Sequence, residues 1–114
     1  MKKFKSSFKV YYEDTDAGGV VYYANYLKFI ERARTDAMTS VDFTNSNLRE
    51  NYGIYLIVNS CNLNFITPSR LEDNLDLFSA IIEVKTVSLK MTQDIFIKSD
   101  LILPSDVHLS TLTH

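Results

Sequence analysis

The stretch that decides the fold runs from Tyr11 to Met38 and reads YYEDTDAGGVVYYANYLKFIERARTDAM. It passes from an alternating segment through acidic residues and two adjacent glycines into a long helical pattern. From Ala24 onward, apolar side chains recur at helical spacing, at Tyr26, Leu27, Ile30, Ala33, Ala37 and Val41. The pattern predicts an amphipathic helix over residues 24–40, about 25 Å long, with these side chains in the core.

Strand patterns lie on both sides of this helix. Five segments have strand character: residues 7–13, 54–66, 74–84, 89–98 and 101–112. The last three follow one another through short connections, which predicts an antiparallel meander. Residues 43–52 are polar and irregular, with at most a short helical turn. Because Pro104 cannot donate a hydrogen bond to a neighbouring strand, it predicts a sheet edge or a bulge.

This order of elements is typical of α+β architecture in a single domain over residues 1–114. A helix of about 25 Å is as long as five strands spaced about 4.8 Å are wide, so it can lie across one face of the sheet. The other face and one edge then remain to be covered. Pairing with a second copy is the common solution, which predicts an oligomer.

Composition excludes several classes of function. The chain has 114 residues, a formal net charge of −2 and a pI of about 5.6, unlike the basic surface of nucleic-acid-binding proteins. No apolar run approaches the roughly 18 residues that a membrane span needs, and we expect a soluble, cytoplasmic protein. Cys61 is the single cysteine, so an intrachain disulfide and a cysteine-based zinc site are excluded. We expect it to pack rather than react.

The acidic loop before the helix is the place where chemistry is expected. It carries Asp14 and Asp16, then Gly18 and Gly19, and leads into a helix N-terminus. Such a terminus has unpaired N–H groups and a partial positive charge of roughly half an elementary charge, which suits a developing oxyanion. A nearby carboxylate, ionised at neutral pH, can serve as nucleophile or general base.

Two plainer interpretations compete. Either aspartate can simply accept hydrogen bonds from backbone N–H groups of the turn, and taken residue by residue this stays open. The spacing of Asp14, Asp16 and Gly18 also imitates the start of a calcium-binding EF-hand loop. Position 5 would be Gly18 and position 12 would be Asn25 instead of glutamate, so calcium is rejected and no metal site is expected.

Over residues 10–38 most densely, the sequence resembles the signature of hotdog-fold acyl-CoA thioesterases. The nearest group is the Tol–Pal-associated one, which is related to 4-hydroxybenzoyl-CoA thioesterase. The resemblance implies a hotdog fold, in which an antiparallel sheet of about five strands wraps a long central helix. It also implies a homodimer, often a dimer of dimers (a homotetramer), with active sites at the dimer interface.

The resemblance implies roles for individual residues. The catalytic carboxylate matches Asp16, and the backbone N–H that polarises the carbonyl matches Tyr23. A second donor, from the partner subunit, falls near Tyr55. The remaining expected substrate-binding residues are Gly18, Gly19 and Val20 beside the thioester, and Lys85, Ser88 and Lys90 toward the phosphates of coenzyme A. Exposed lysines on a turn are, however, more often only solvated.

The sequence departs from the family pattern in places. Tyr23 stands where many relatives have histidine, which is harmless if only the backbone N–H acts. The chain ends at His114, just after its last predicted strand, where relatives usually continue, so a truncated tail or a frameshift stays open. Histidines occur only at His108 and His114. This scarcity counts against a Ser–His or Cys–His nucleophile and against the related hotdog dehydratases, which use a histidine.

The first functional hypothesis is hydrolysis of a small acyl thioester of coenzyme A, or of an acyl carrier protein. Asp16 attacks the carbonyl or activates a water, and neither a metal nor a bound cofactor is required, since coenzyme A enters as part of the substrate. The alternative is a non-catalytic hotdog module that binds an acyl carrier protein or a cell-envelope partner. A pure scaffold would need neither an ionised Asp16 nor the open backbone at the glycine pair.

Overall fold

The computed structural model describes residues 3–113 and has an α+β architecture; Met1, Lys2 and His114 lie outside the described residues. The elements are β1 (Phe4–Lys9), α1 (Tyr23–Thr39), α2 (Asn45–Tyr52), β2 (Ile54–Leu63), β3 (Asn74–Val84), β4 (Ser88–Ile97), β5 (Asp100–Leu103) and β6 (Ser105–Thr113). The strand expected at residues 7–13 is shifted toward the N-terminus. Residues 12–14 form a 3₁₀ turn instead, which is closed by the hydrogen bond from Tyr11 N to the Asp14 carboxylate.

All strand pairs in the sheet are antiparallel, in the order β1-β3-β4-β6-β2, with β5 also paired to β4. The expected meander of the last three segments is confirmed. The described residues form six strands instead of five because Pro104 interrupts the last one. Pro104 is not at an edge, since β6 lies between β4 and β2. The ladder register does shift nearby, between Ile95 and Phe96.

Helix α1 lies across one face of this sheet and supplies much of the core. Its buried residues are Tyr26, Phe29, Ile30, Ala33, Ala37 and Met38. The prediction was wrong for Leu27 and Val41, which are 49% and 51% exposed. Leu27 faces the outer strand β2, beyond which the described chain has no further strand to cover it. Val41 follows the end of the helix, where the chain turns through Asp42 at φ 64°.

The segment expected to be irregular contains a full helix, α2. Thr44 caps its N-terminus by accepting a hydrogen bond from Asn47 N at 3.1 Å. Gly53 ends it with a left-handed φ of 65°, a conformation that glycine adopts without strain. The polar composition of this segment hid the helix because only Leu48 among its residues is buried.

A polar group divides the core under α1. Gln93 is fully buried, and its Nε2 donates to Ile30 O at 2.9 Å and to Ser79 Oγ at 3.1 Å. Its Oε1 accepts from Arg34 at 3.1 Å. Arg34 is half-buried as a result of this contact. Cys61 packs against the neighbouring apolar cluster, and burial raises the pKa of its thiol, as expected of a packing residue.

Among residues 3–113, strand β2 pairs only with β6, so it is an open edge of the sheet. It exposes apolar side chains: Tyr55, Ile57 and Val58 are 37%, 39% and 48% exposed. An exposed apolar edge strand favours association with another strand. Over residues 3–113, no helix has the length and apolar character to cross a membrane.

Candidate active site

Asp16 begins a tight turn, and backbone N–H groups of this turn hold its carboxylate in place through one of the two oxygens. Asp16 Oδ1 accepts a hydrogen bond from Gly18 N at 2.8 Å and a longer one from Val20 N at 3.4 Å. The turn is closed through the backbone, by Asp16 N to Val20 O at 2.9 Å and Gly19 N to Asp16 O at 3.0 Å. Within the described chain, no hydrogen bond engages Asp16 Oδ2. The exposed carboxylate is thus oriented by the turn while one oxygen stays available.

The two glycines serve this turn in different ways. Gly19 has φ +78°, a left-handed conformation that a side chain would strain. Gly18 lies so close to the carboxylate that an added Cβ would come within 3.3 Å of Asp16 Oδ1. The glycine pair therefore shapes the loop and leaves room for the carboxylate. Val20 lines a cleft between this loop and the start of α1.

The sequence left open whether Asp14 or Asp16 only accepts hydrogen bonds from the turn. In the structure, Asp14 has this structural role. It is 3% exposed, its Oδ1 lies 2.7 Å from Lys28 Nζ, and its Oδ2 accepts from Tyr11 N at 3.0 Å. Burial tends to raise the pKa of Asp14. The hydrogen bonds from Lys28 and Tyr11, with the charges of Lys28 and Arg32, outweigh burial and hold the pKa below its ordinary value. Both oxygens are occupied, so Asp14 is not available for catalysis.

Helix α1 begins with free N–H groups. Its N-cap, Tyr22, makes no capping hydrogen bond with its side chain, and the first backbone bond runs from Asn25 N to Tyr22 O at 2.9 Å. In the described part of the chain, the N–H groups of Tyr23 and Ala24 have no acceptor. The side chain of Tyr23 is 71% exposed, so the expected contribution of its backbone N–H does not depend on the ring.

The Asp16 loop and the start of α1 enclose a cleft with the segment after β2. Its volume is about 390 Å³. The lining residues are Asp16, Val20, Val21, Tyr22, Tyr23, Tyr26, Phe65, Ile66, Thr67 and Pro68. The sequence did not indicate residues 65–68 as part of the site. The Phe65 ring lies 5.1 Å from that of Tyr23 and 5.6 Å from that of Tyr26, between ring centroids.

A buried hydrogen bond holds the two walls of this cleft together. The hydroxyls of Tyr26 and Ser69 lie 2.7 Å apart, and Ser69 N donates to Tyr26 Oη at 3.1 Å. Ser69 O in turn accepts from Val21 N at 2.9 Å. Helix α1, the segment after β2 and the end of the Asp16 loop are therefore tied at one point.

The other expected substrate contacts lie far from this cleft within one chain. Tyr55 is near the start of β2, whereas the cleft adjoins its other end, roughly 30 Å away at about 3.3 Å per residue. Lys85, Ser88 and Lys90 lie at or just after the connection of β3 to β4, toward the same end of the sheet as Tyr55. Lys85 Nζ also forms an ion pair with Glu83 at 3.1 Å. A single protomer does not bring these residues together with Asp16.

Other candidate groups are also outside the cleft. His108 lies in the middle of β6, facing Lys90 across the ladder, and His114 is outside the described residues. In residues 3–113, no three His, Cys, Asp or Glu side chains are grouped so that they could hold a metal ion.

Comparison with known proteins agrees with this geometry. The thioesterase superfamily matches residues 18–103. The chain is 39% identical over 90 residues to the acyl-CoA thioesterase YbgC of Haemophilus influenzae, and 40% identical over 88 residues to that of Helicobacter pylori. These alignments cover 79% and 77% of this chain but only 66% and 63% of those relatives.

A solved structure extends the likeness to nearly the whole chain. The probable thioesterase from Bartonella henselae superposes with a TM-score of 0.91 at 25% identity, covering 99% of this chain and 94% of that one. The α+β prediction, with one long helix across an antiparallel sheet, is therefore confirmed, and the chain belongs to the thioesterase superfamily and has its hotdog fold.

Proposed function

We propose that this protein hydrolyses the thioester of a small acyl group, releasing a carboxylic acid and a free thiol. One observation carries the proposal: the oriented carboxylate of Asp16 and the free N–H groups at the start of α1 line or adjoin the same cleft of about 390 Å³. Similarity to acyl-CoA thioesterases supports coenzyme A as the thiol. An acyl carrier protein presents the same thioester and is the second candidate carrier.

The chemistry follows from these groups. Asp16 Oδ2 either attacks the thioester carbonyl or takes a proton from a water that attacks it. The N–H groups of Tyr23 and Ala24 hold the negative oxygen that forms, and losing one such donor costs about 3–4 kcal/mol in other enzymes. The C–S bond then breaks, the thiolate takes a proton, and one water is consumed for each acid and thiol formed. On the direct route, that water cleaves the acyl–Asp16 anhydride.

The proposed reaction needs neither a metal nor a resident cofactor. The negative oxygen has backbone N–H donors, the attack has a carboxylate, and coenzyme A arrives with the acyl group. Activity that survives dialysis against a chelator, with no metal added back, is the expected result. Loss of activity that returns only with one metal would contradict this part of the proposal.

We also propose that a second copy completes the site through β2. If two open β2 edges pair antiparallel about Val58, the partner's Tyr55 comes opposite Cys61, toward the end of β2 that adjoins the cleft. The same pairing brings the partner's β3–β4 connection, with Lys85, Ser88 and Lys90, to this end of the sheet. The topology supports this arrangement because the connection joins β6 near the start of β2, where Thr111 N donates to Val87 O at 2.9 Å.

The second copy is testable at the edge strand. Ile57 is 39% exposed on β2, and Ile57→Lys places a charge where the strands would meet. We expect a folded monomer by light scattering and circular dichroism, with little activity, whereas Val87→Lys, exposed on the β3–β4 connection, should stay oligomeric. An Ile57→Lys oligomer with full activity would contradict the proposal. The same light-scattering measurement on the wild type decides between a dimer and a dimer of dimers. The proposed cytoplasmic location is tested separately, by cell fractionation.

The catalytic role of Asp16 is tested by Asp16→Asn. The amide oxygen can keep the hydrogen bond from Gly18 N, so the turn should persist while the ionised oxygen is lost. We expect thiol release from a panel of acyl-CoA substrates to fall by roughly 10² or more. Asp36→Asn, exposed on α1 and outside the cleft, is the control and should change little. Unchanged turnover in Asp16→Asn would contradict the mechanism, and silence of the folded wild type across the panel would favour a binding module.

A further inference from the structure

Two neighbouring hollows share one wall at the start of α1. The first is the cleft that Asp16 lines, of about 390 Å³. The second is a groove of about 370 Å³, lined by Tyr22, Tyr23, Ala24, Leu27, Leu63 and Phe65. Tyr22, Tyr23 and Phe65 belong to both. The groove is lined almost entirely by apolar side chains.

Phe65 is the residue of this shared wall that has no role in the proposed catalysis, because the proposed oxyanion donors are the N–H groups of Tyr23 and Ala24. It contacts the rings of Tyr23 and Tyr26 and is 47% exposed. The backbone on both sides is fixed, by Asn64 N to Pro104 O at 3.0 Å and by Ile66 N to Ile102 O at 3.0 Å. The backbone at Phe65 is therefore set by the sheet. Phe65 is not among the buried residues of the two main apolar clusters, and its ring contacts one of them through Tyr26.

We propose that Phe65 determines which acyl chains this enzyme accepts, by closing the cleft against the adjoining groove. This inference rests on the proposed thioesterase function. An acyl group held at Asp16 extends along Tyr26 and ends at the Phe65 ring. Behind the ring, Leu27 and Leu63 offer an apolar surface that a longer chain would bury if the ring were absent. The cleft thus takes a short acyl group, and the groove is a latent extension for longer chains.

The size of the expected effect follows from burial of methylene groups. Each further methylene moved from water onto apolar surface favours binding by about fourfold. With the ring in place, methylenes beyond it stay in water and gain nothing. Without it, kcat/KM for octanoyl-CoA relative to butyryl-CoA should rise by at least about tenfold.

The experiment measures kcat/KM from acetyl-CoA to decanoyl-CoA for the wild type, Phe65→Ala and the milder Phe65→Leu. Phe43→Ala is the matched control, because Phe43 is a ring of similar exposure, 44%, that lines neither hollow. We expect both Phe65 variants to shift the preference toward longer chains, and Phe43→Ala to leave it in place. Adding Leu27→Phe, which fills the groove, should reverse the shift. An unchanged octanoyl-to-butyryl ratio in both Phe65 variants, or an equal shift in Phe43→Ala, would overturn the proposal.

A second measurement separates this proposal from the proposed function. In the Asp16→Asn background, Kd for the same acyl-CoA series is measured by calorimetry, without turnover. Tighter binding of long chains upon Phe65→Ala supports the role of Phe65 even if the wild type hydrolyses none of them. Chain-length-independent binding in every variant overturns it. A silent wild type in the hydrolysis assay counts only against the thioesterase activity.

Discussion

Lys28 Nζ lies 2.7 Å from Asp14 Oδ1, an ion pair that joins the second turn of α1 to the segment preceding the Asp16 loop. The main chain of Asp14 is held as well, because its carbonyl accepts from Tyr22 N at 3.0 Å and from Asn25 Nδ2 at 2.9 Å. One aspartate therefore fixes the loop to the helix. The other, two residues later, is left with an available oxygen at the cleft.

The pH dependence of stability should report this ion pair. Because the pKa of Asp14 is lowered in the folded protein, its charged form stabilises the fold at pH values above the unfolded pKa of about 3.9. That stabilisation is lost as the pH falls through the folded pKa. Urea unfolding between about pH 3 and pH 7 should show a steeper acid loss of stability for the wild type than for Asp14→Asn. Parallel curves would contradict this assignment.

Replacing Lys28 and replacing Asp14, one at a time, should lower the free energy of unfolding by unequal amounts. Lys28→Met leaves the buried Asp14 carboxylate without its cation, which should lower the free energy of unfolding by about 3 kcal/mol. Asp14→Asn keeps an acceptor for Tyr11 N and should cost less, about 1.5 kcal/mol. Lys5→Met is the control, because its pair with Asp76 is exposed at 3.8 Å and should matter by less than about 0.5 kcal/mol. Equal losses for Lys28→Met and Lys5→Met would refute the distinction.

The sequence predicts those features that depend on neighbours along the chain. The helix of residues 24–40 and the turn at Gly18 and Gly19 follow from local periodicity and from glycine, and the structure has them at Tyr23–Thr39 and at the Asp16 turn. The prediction for Leu27 failed because its exposure depends on where the sheet ends. Periodicity defines a helix face but does not reveal how many strands lie beneath it.

Features that depend on distant contacts could not be predicted. Tyr26 and Ser69 are 43 positions apart, and residues 65–69 carry no periodic pattern that would place them against α1. Asp14 and Asp16 look equivalent in the sequence. Only the fold shows that Lys28, one helical turn beyond Ala24, reaches Asp14 and not Asp16.

Alanine at the two loop glycines should produce different defects. Gly19→Ala meets no atom within 4 Å, so its cost is the strain of φ +78°, about 1 kcal/mol of stability. Gly18→Ala instead brings a Cβ to 3.3 Å from Asp16 Oδ1, which should displace the carboxylate and lower kcat more than stability. Gly53→Ala, at φ +65° and outside the Asp16 loop, should lose a similar amount of stability through backbone strain alone. Steady-state kinetics and urea unfolding on the three variants check this, and a Gly18→Ala enzyme with wild-type kcat would contradict it.

Tyr26→Phe tests whether the hydroxyl contact with Ser69 holds the cleft in shape. The substitution keeps the buried ring, which is 3% exposed, but leaves both Ser69 Oγ and Ser69 N without their partner. Unsatisfied buried groups of this kind should lower the free energy of unfolding by about 2 kcal/mol. Because Ser69 also accepts from Val21 N, the segment from Phe65 to Ser69 should open more often, seen as faster hydrogen exchange of the Ser69 and Val21 amides. Tyr52→Phe, at a side chain that is 65% exposed, is the control. If Tyr26→Phe has the same stability and exchange rates as this control, the contact between Tyr26 and Ser69 does not hold the cleft in shape.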